Sequence, residues 1–240
     1  MDLPMDMQHQ AMGYDRTATM FSPEGTIIQV EYAEKATKWG SSSIGMVCTD
    51  GVLIVADKRI DDKLIVPKSA NKVYEIDSHI IASAAGVVSD ARVLVEKAQL
   101  ISQQHRMTYD SPVEPELIIK DIANIEQQFT QYGGARPFGV FFMIAGMNGK
   151  KPELYVSNVS GNYFSYYANA IGENDERVKE KLREKYKHDL TVKKGIKVAL
   201  DIFKEVQGNK FNAEKFEIVY IEDNGKITRM EGAELKNAVK

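Results

Sequence analysis

The chain has 240 residues, 43% of them hydrophobic, and 31 basic against 34 acidic side chains leave a net charge of −3. That length is enough for one large core, the near-balanced charge gives no field for nucleic acid or an anionic membrane, and no run approaches the ~18 apolar residues of a membrane span. Cys48 is the only cysteine, which excludes an intrachain disulfide and a cysteine-built zinc site and suits a reducing, cytoplasmic compartment. The four histidines, at 9, 79, 105 and 188, are scattered, so neither a metal nor a cofactor is expected. The first dozen residues carry Asp2 and Asp6 without an apolar run, unlike a secretory signal.

Residues 1–13 are rich in Met and Gln and are expected to form a flexible arm ahead of a single domain spanning 14–240. Ser22 is a candidate N-cap, Pro23 suits a first helical position, and Glu24 suits the positive end of a helix dipole. Ile27, Val30, Ala33 and Ala36 then recur on one face, predicting a helix over about 23–38 that ends near Trp39-Gly40. Ser43 to Thr49 reads as a strand, Asp50-Gly51 as a hairpin turn, and Val52 to Ala56 as a buried strand. Lys72 to Asp77 and Ile80 to Ala85 complete what reads as a four-strand antiparallel block.

The period then changes. Ala91, Leu94, Val95, Ala98 and Ile101 form a helical stripe opening at a Ser89 or Asp90 cap, and Ile118, Ile122, Ile125 and Phe129 form a second. Gln131 to Pro137 is a glycine-bearing loop that proline closes. Phe138 to Met147 and Glu153 to Val159 read as a strand pair around Asn148-Gly149. A charged helix follows Gly172 and runs to about Lys187; Val192, Ile196, Ala199, Phe203 and Val206 mark a last helix. Phe216 to Ile221 returns to strand before an Asn224-Gly225 turn, and 231–240 suits a short helix. Strands, two helices, strands, two helices, strands: that order predicts an α+β fold.

Three strings carry a resemblance. The first is the leader, with Gly13-Tyr14-Asp15-Arg16, Phe21-Ser22-Pro23-Glu24-Gly25 and Gln29-Val30-Glu31-Tyr32-Ala33. The others are Gly86-Val87-Val88-Ser89-Asp90-Ala91-Arg92-Val93-Leu94 and Gln131-Tyr132-Gly133-Gly134-Ala135-Arg136-Pro137. The chain resembles the α subunits of the proteasome from Tyr14 to about Ile221. The resemblance implies a four-layer αββα sandwich of the N-terminal nucleophile hydrolase type, two antiparallel sheets between helix pairs, preceded by the arm and helix.

The resemblance also implies roles. Catalytic β subunits use an N-terminal threonine whose own amine is the base; here Asp57 and Lys72 match the accessory acid and lysine, but the nucleophile position falls on Ser41, inside the chain. The chain is therefore expected to be non-catalytic, with an autoprocessed Ser41 hydrolase and a self-assembling scaffold as alternatives. The family pattern puts the gate on Tyr14, Asp15, Arg16, Pro23 and Tyr32, an activator-docking pocket on Lys72, Gly40 and Val87, and a channel constriction on Tyr132, Gly133 and Gly134. It implies as partners a ring of seven copies, proteasome β subunits, the C-terminal tails of a regulatory AAA ATPase and unfolded proteins in transit, with no nucleic acid or membrane.

Overall fold

A computed structural model of the chain describes residues 13, 17–59, 62, 64–232 and 235. Its first helix begins later than the leader sequence suggests. Ser22 to Gly25 form a reverse turn closed by the Gly25 N–H donating to the Ser22 carbonyl at 2.9 Å, and Phe21 bridges to Ile27 across it. The Ser22 and Thr26 hydroxyls lie 3.1 Å apart, so Ser22 closes this small hairpin and caps no helix. Helix α1 covers Ile28–Thr37, with Ile27 in the cap position and no side-chain cap bond. Proline's fixed φ suits a turn as well as a helix start; Gly25, at φ +81°, decides for the turn, because a left-handed residue ends any helix there.

Strands β1 (Ser43–Cys48) and β2 (Gly51–Asp57) form a hairpin with Cys48 opposite Gly51. Strands β3 (Val73–Asp77) and β4 (Ile80–Gly86) form another. Helices α2 (Val88–Tyr109) and α3 (Pro115–Gln131) follow, then β5 (Val140–Asn148), β6 (Lys151–Ser157), β7 (Tyr163–Ser165) and β8 (Ala168–Ile171). Helices α4 (Asp175–Lys185) and α5 (Val192–Gln207) precede β9 (Phe216–Glu222) and β10 (Ile227–Glu231). One sheet has the order β10-β9-β2-β1-β8 and the other β3-β4-β5-β6-β7, every pairing antiparallel. The expected four-strand block is thus divided: its two hairpins lie in opposite sheets, because β2 takes β9 as its second neighbour while β4 takes β5. The expected Ser89 or Asp90 cap also moves, to Val87 in extended conformation.

The layers follow from side-chain alternation. On β2, Val52, Ile54 and Ala56 face Ile81, Met143 and Ala145 between the sheets, while Leu53 and Val55 face Ile196, Ala199 and Phe203 of α5. A strand covered on both faces reads as a continuous apolar run, since neither set of side chains meets water. Helices α2 and α3 close the second sheet through Leu94, Ala98, Ile118 and Ile122, packed on Ile80, Ala82, Phe142 and Ile144. The result is the αββα order, with the ends of the sandwich left to carry polar chemistry.

Candidate docking and gate site

Lys72 stands one residue before β3 and reaches across the end of the sandwich. Its ammonium donates to the Ser41 hydroxyl at 2.7 Å and to the Ser41 carbonyl, while its backbone N–H donates to the Glu217 carboxylate at 2.8 Å. Glu217 is fully buried on β9 and is held on its other side by the Arg229 guanidinium. Asp57, at the end of β2, accepts from the Arg59 N–H at 3.0 Å and from Gln207 Nε2 at 2.9 Å. Burial pushes the Lys72 ammonium from 10.5 down to about 7; Asp57 opposes this fall and Arg59 adds to it. A lysine so placed is a conditional cation, charged in mildly acid solution and stabilised in that form by any incoming carboxylate.

Gly40 and Val87 lie at the same end. A Cβ on Gly40 would sit 2.3 Å from the Gly86 nitrogen, so the chain before Ser41 runs in backbone contact with the chain before Val87. The Gly40 carbonyl accepts from the Glu173 N–H at 2.8 Å, and the Val87 N–H donates to the Gly139 carbonyl at 2.9 Å. The loop carrying Tyr132, Gly133 and Gly134 is anchored close by. Asp90 takes a two-pronged bond from Arg136 (2.6 and 2.7 Å) and a third from the Gly139 N–H (2.9 Å). Burial alone would raise the Asp90 carboxyl, but the bonds from Arg136 and Gly139 outweigh it and hold it below the ordinary 3.8. Tyr132 itself is exposed, and Gly134 turns the chain at φ +89°. Asp90→Ala is expected to cost about 1–3 kcal/mol in urea unfolding, chiefly by leaving the buried Gly139 N–H without its acceptor, and, with Arg136 released, to make the 132–136 loop a protease-sensitive point. Because the folded carboxyl is more acidic than the unfolded one, the Asp90 contribution is present above the ordinary value and lost as pH falls through the folded one.

Of the residues expected at the gate, Pro23 sits exposed in the Ser22–Gly25 turn and Tyr32 half-buried on α1, its ring 5.3 Å from the Lys35 ammonium. Tyr14, Asp15 and Arg16 lie outside the described residues. A family model for proteasome subunits matches residues 37–221, and a model for the N-terminal signature of A-type proteasome subunits matches 14–36. The proteasome α subunit of Pyrococcus horikoshii is 43% identical over 209 residues, 87% of this chain and 80% of that protein. That of Methanothermobacter thermautotrophicus is 40% identical over 231 residues, covering 96% and 93%. That of Methanopyrus kandleri is 39% identical over 221 residues, covering 92% and 90%. The chain belongs to the proteasome α-subunit family.

For a proteasome α-family chain, the surroundings of Lys72 are what sequence reading missed. Arg59, Glu217 and Arg229 were not singled out. Glu217 left a signal: alternation along β9 sets it on the same face as Val219 and Ile221, which pack between the sheets. A carboxylate on an apolar face is a buried charge that requires a partner. Arg59 left none beyond its place after Asp57, and its left-handed backbone, φ +48°, is visible only in the fold. Cys48 is buried, and burial followed by the Asp50 charge raises its thiol to about 12, which makes it inert. Among the described residues no cluster of His, Cys, Asp or Glu suits a metal.

Proposed function

We propose that this chain is a non-catalytic, gate-forming α subunit of the proteasome core particle. Seven copies form a ring that caps β subunits, and the arm of residues 1–13, with Tyr14, Asp15, Arg16, Pro23 and Tyr32, controls entry of unfolded protein. Lys72, Gly40 and Val87 receive the C-terminal tail of a regulatory ATPase, and Tyr132, Gly133 and Gly134 narrow the channel. The observation that carries the non-catalytic reading is at Ser41. Its nitrogen is a peptide nitrogen following Gly40, whose carbonyl is tied to Glu173, so the free amine required of an N-terminal nucleophile is missing.

The docking reading rests on the conditional charge of Lys72. A terminal carboxylate pairs with an ammonium beside a dry wall far better than with one in open water. The test uses the chain assembled with proteasome β subunits, a fluorogenic peptide substrate, and a heptapeptide ending in a hydrophobic residue, Tyr and any residue. Lys72→Ala is expected to weaken stimulation by the heptapeptide roughly 30-fold while leaving the ring intact by light scattering. In the unsubstituted particle, tail affinity is expected to fall as pH rises through and beyond 7, the value to which the Lys72 ammonium is lowered. Unchanged stimulation by Lys72→Ala would remove the docking role.

The Lys72 bond to the Ser41 hydroxyl at 2.7 Å favours one second reading, an autoprocessed Ser41 hydrolase. Intact mass separates the two: a chain beginning at Ser41 would overturn the non-catalytic assignment.

A further inference from the structure

Trp39 is the only tryptophan of the chain and is 85% exposed, which leaves its indole almost wholly in water. A side chain with so much apolar surface is seldom left so bare, and an exposed indole is a common anchor of interfaces. Its place in the fold is specific. The Trp39 N–H donates to the Ala36 carbonyl at 3.2 Å and the Gly40 N–H to the Thr37 carbonyl at 3.3 Å, so residues 37–40 wind directly off the end of α1. That last turn abuts Val87: a Cβ on Gly139 would meet Val87 Cγ2 at 3.0 Å and Ala36 Cβ at 3.6 Å. Gly40 and Gly86 then cross backbone to backbone, and neither has a side chain to fill the crossing. Trp39 on one strand of chain and Val88, 76% exposed at the first position of α2, flank this bare floor. The next residue, Ser41, holds the Lys72 ammonium through its hydroxyl at 2.7 Å.

Distance and chemistry select the occupant. An extended chain advances about 3.4 Å per residue, so a tail with its carboxylate on Lys72 brings its penultimate side chain within reach of a residue two places from Ser41. The face of an indole attracts a cation or another ring. A cation would meet Lys72 itself and the exposed Lys38 beside Trp39, which leaves the ring. We infer that Trp39 packs against an aromatic residue placed next to last in a tail whose terminal carboxylate pairs with Lys72. The inference rests on the tail-docking reading and adds selectivity to it, because an ammonium alone reads a chain end and no side chain.

The test is a double-mutant cycle in the chain assembled with proteasome β subunits. Its readout is the concentration of a tryptophan-free heptapeptide that half-maximally stimulates cleavage of a fluorogenic substrate. Trp39→Ala is expected to raise that concentration about tenfold for a peptide ending Leu-Tyr-Ala, and about twofold or less for one ending Leu-Ala-Ala. Trp39→Phe should keep most of the affinity for the first peptide. The difference between parent and Trp39→Phe emission isolates the Trp39 signal, which the Tyr peptide should move to shorter wavelength and protect from acrylamide. Light scattering establishes that the variant rings are intact. Lys72→Ala tells the two readings apart. Should it leave stimulation unchanged, tail docking fails and this inference with it; should it weaken stimulation while Trp39→Ala does not, this inference alone fails. Equal losses for both peptides in Trp39→Ala would overturn it in favour of a role in shaping the pocket. An indole shielded from acrylamide before any peptide is added, with rings broken by Trp39→Ala, would overturn it in favour of a contact with a neighbouring copy.

Discussion

Gly86→Ala is expected to destabilise the chain by roughly 3–5 kcal/mol, read as a fall of about 1–2 M in the urea midpoint with an unchanged slope. Gly86 closes β4 at φ +132°, where a side chain is strained whatever the space around it. Its added Cβ would also fall 2.1 Å from the Gly139 carbonyl oxygen and 3.1 Å from Val140 Cα. Both obstacles are backbone at the start of the neighbouring β5, and moving them means breaking the register that pairs Gly86 with Val140. Gly40 packs against the nitrogen of this same residue, so the substitution would also displace the segment entering Ser41. Gly133→Ala is the matched control. Nothing lies within 4 Å of its added Cβ and its φ is unremarkable, so a change within about 0.5 kcal/mol is expected. Comparable losses at the two positions would mean that the close packing of β4 on β5 does not limit stability.

The contrast between these glycines marks what a sequence carries. Local patterns transferred well: the stripes through Leu94 and Ala98, through Ile118 and Ile122, and through Ile196 and Phe203 are the buried faces of α2, α3 and α5. Asp50-Gly51 and Asn224-Gly225 join paired strands as their turn chemistry requires. What was not legible depends on residues far apart in the chain. Pro23 is a local exception: it fits a helix start and a turn equally, and the left-handed backbone of Gly25, φ +81°, settles the matter only in the fold. The division of the first four strands between two sheets needs β9, far along the chain, to claim β2. Strands β7 and β8 have three and four residues, too few to establish a period. The same applies to the site. The family pattern names Lys72, Gly40 and Val87, but the groups around Lys72 come from positions 41, 57, 59 and 217, and burial with Asp57 and Arg59 sets its charge; no local string links them.

Glu126→Gln is expected to stabilise the chain most strongly in mildly alkaline solution. Glu126 lies in the middle of α3, fully buried, and neither carboxylate oxygen has a hydrogen-bond partner among the described residues. Burial raises its carboxyl from 4.5 to about 8, with the nearby Ser157 hydroxyl opposing only weakly. The acid is therefore neutral in the folded chain at pH 7 and ionised in the unfolded one. Between 4.5 and about 8 the native state holds a proton that the unfolded state has released, so stability falls as pH rises, by up to about 1.4 kcal/mol per unit. The amide keeps the shape, carries no titrating proton and removes this slope. The variant should match the parent within about 1 kcal/mol near pH 4.5 and exceed it by roughly 2–4 kcal/mol at pH 8, as read from urea midpoints across that range. Lys72 acts in the opposite sense and in another window: its ammonium is lowered from 10.5 to about 7, so its contribution grows as pH rises above 7. A Lys72→Met/Glu126→Gln double variant should therefore be nearly free of both slopes, the two sites sharing no partner. Parallel pH profiles for parent and Glu126→Gln would mean that the carboxyl reaches water or a cation in solution, and that α3 packs less closely on β6 than its burial implies.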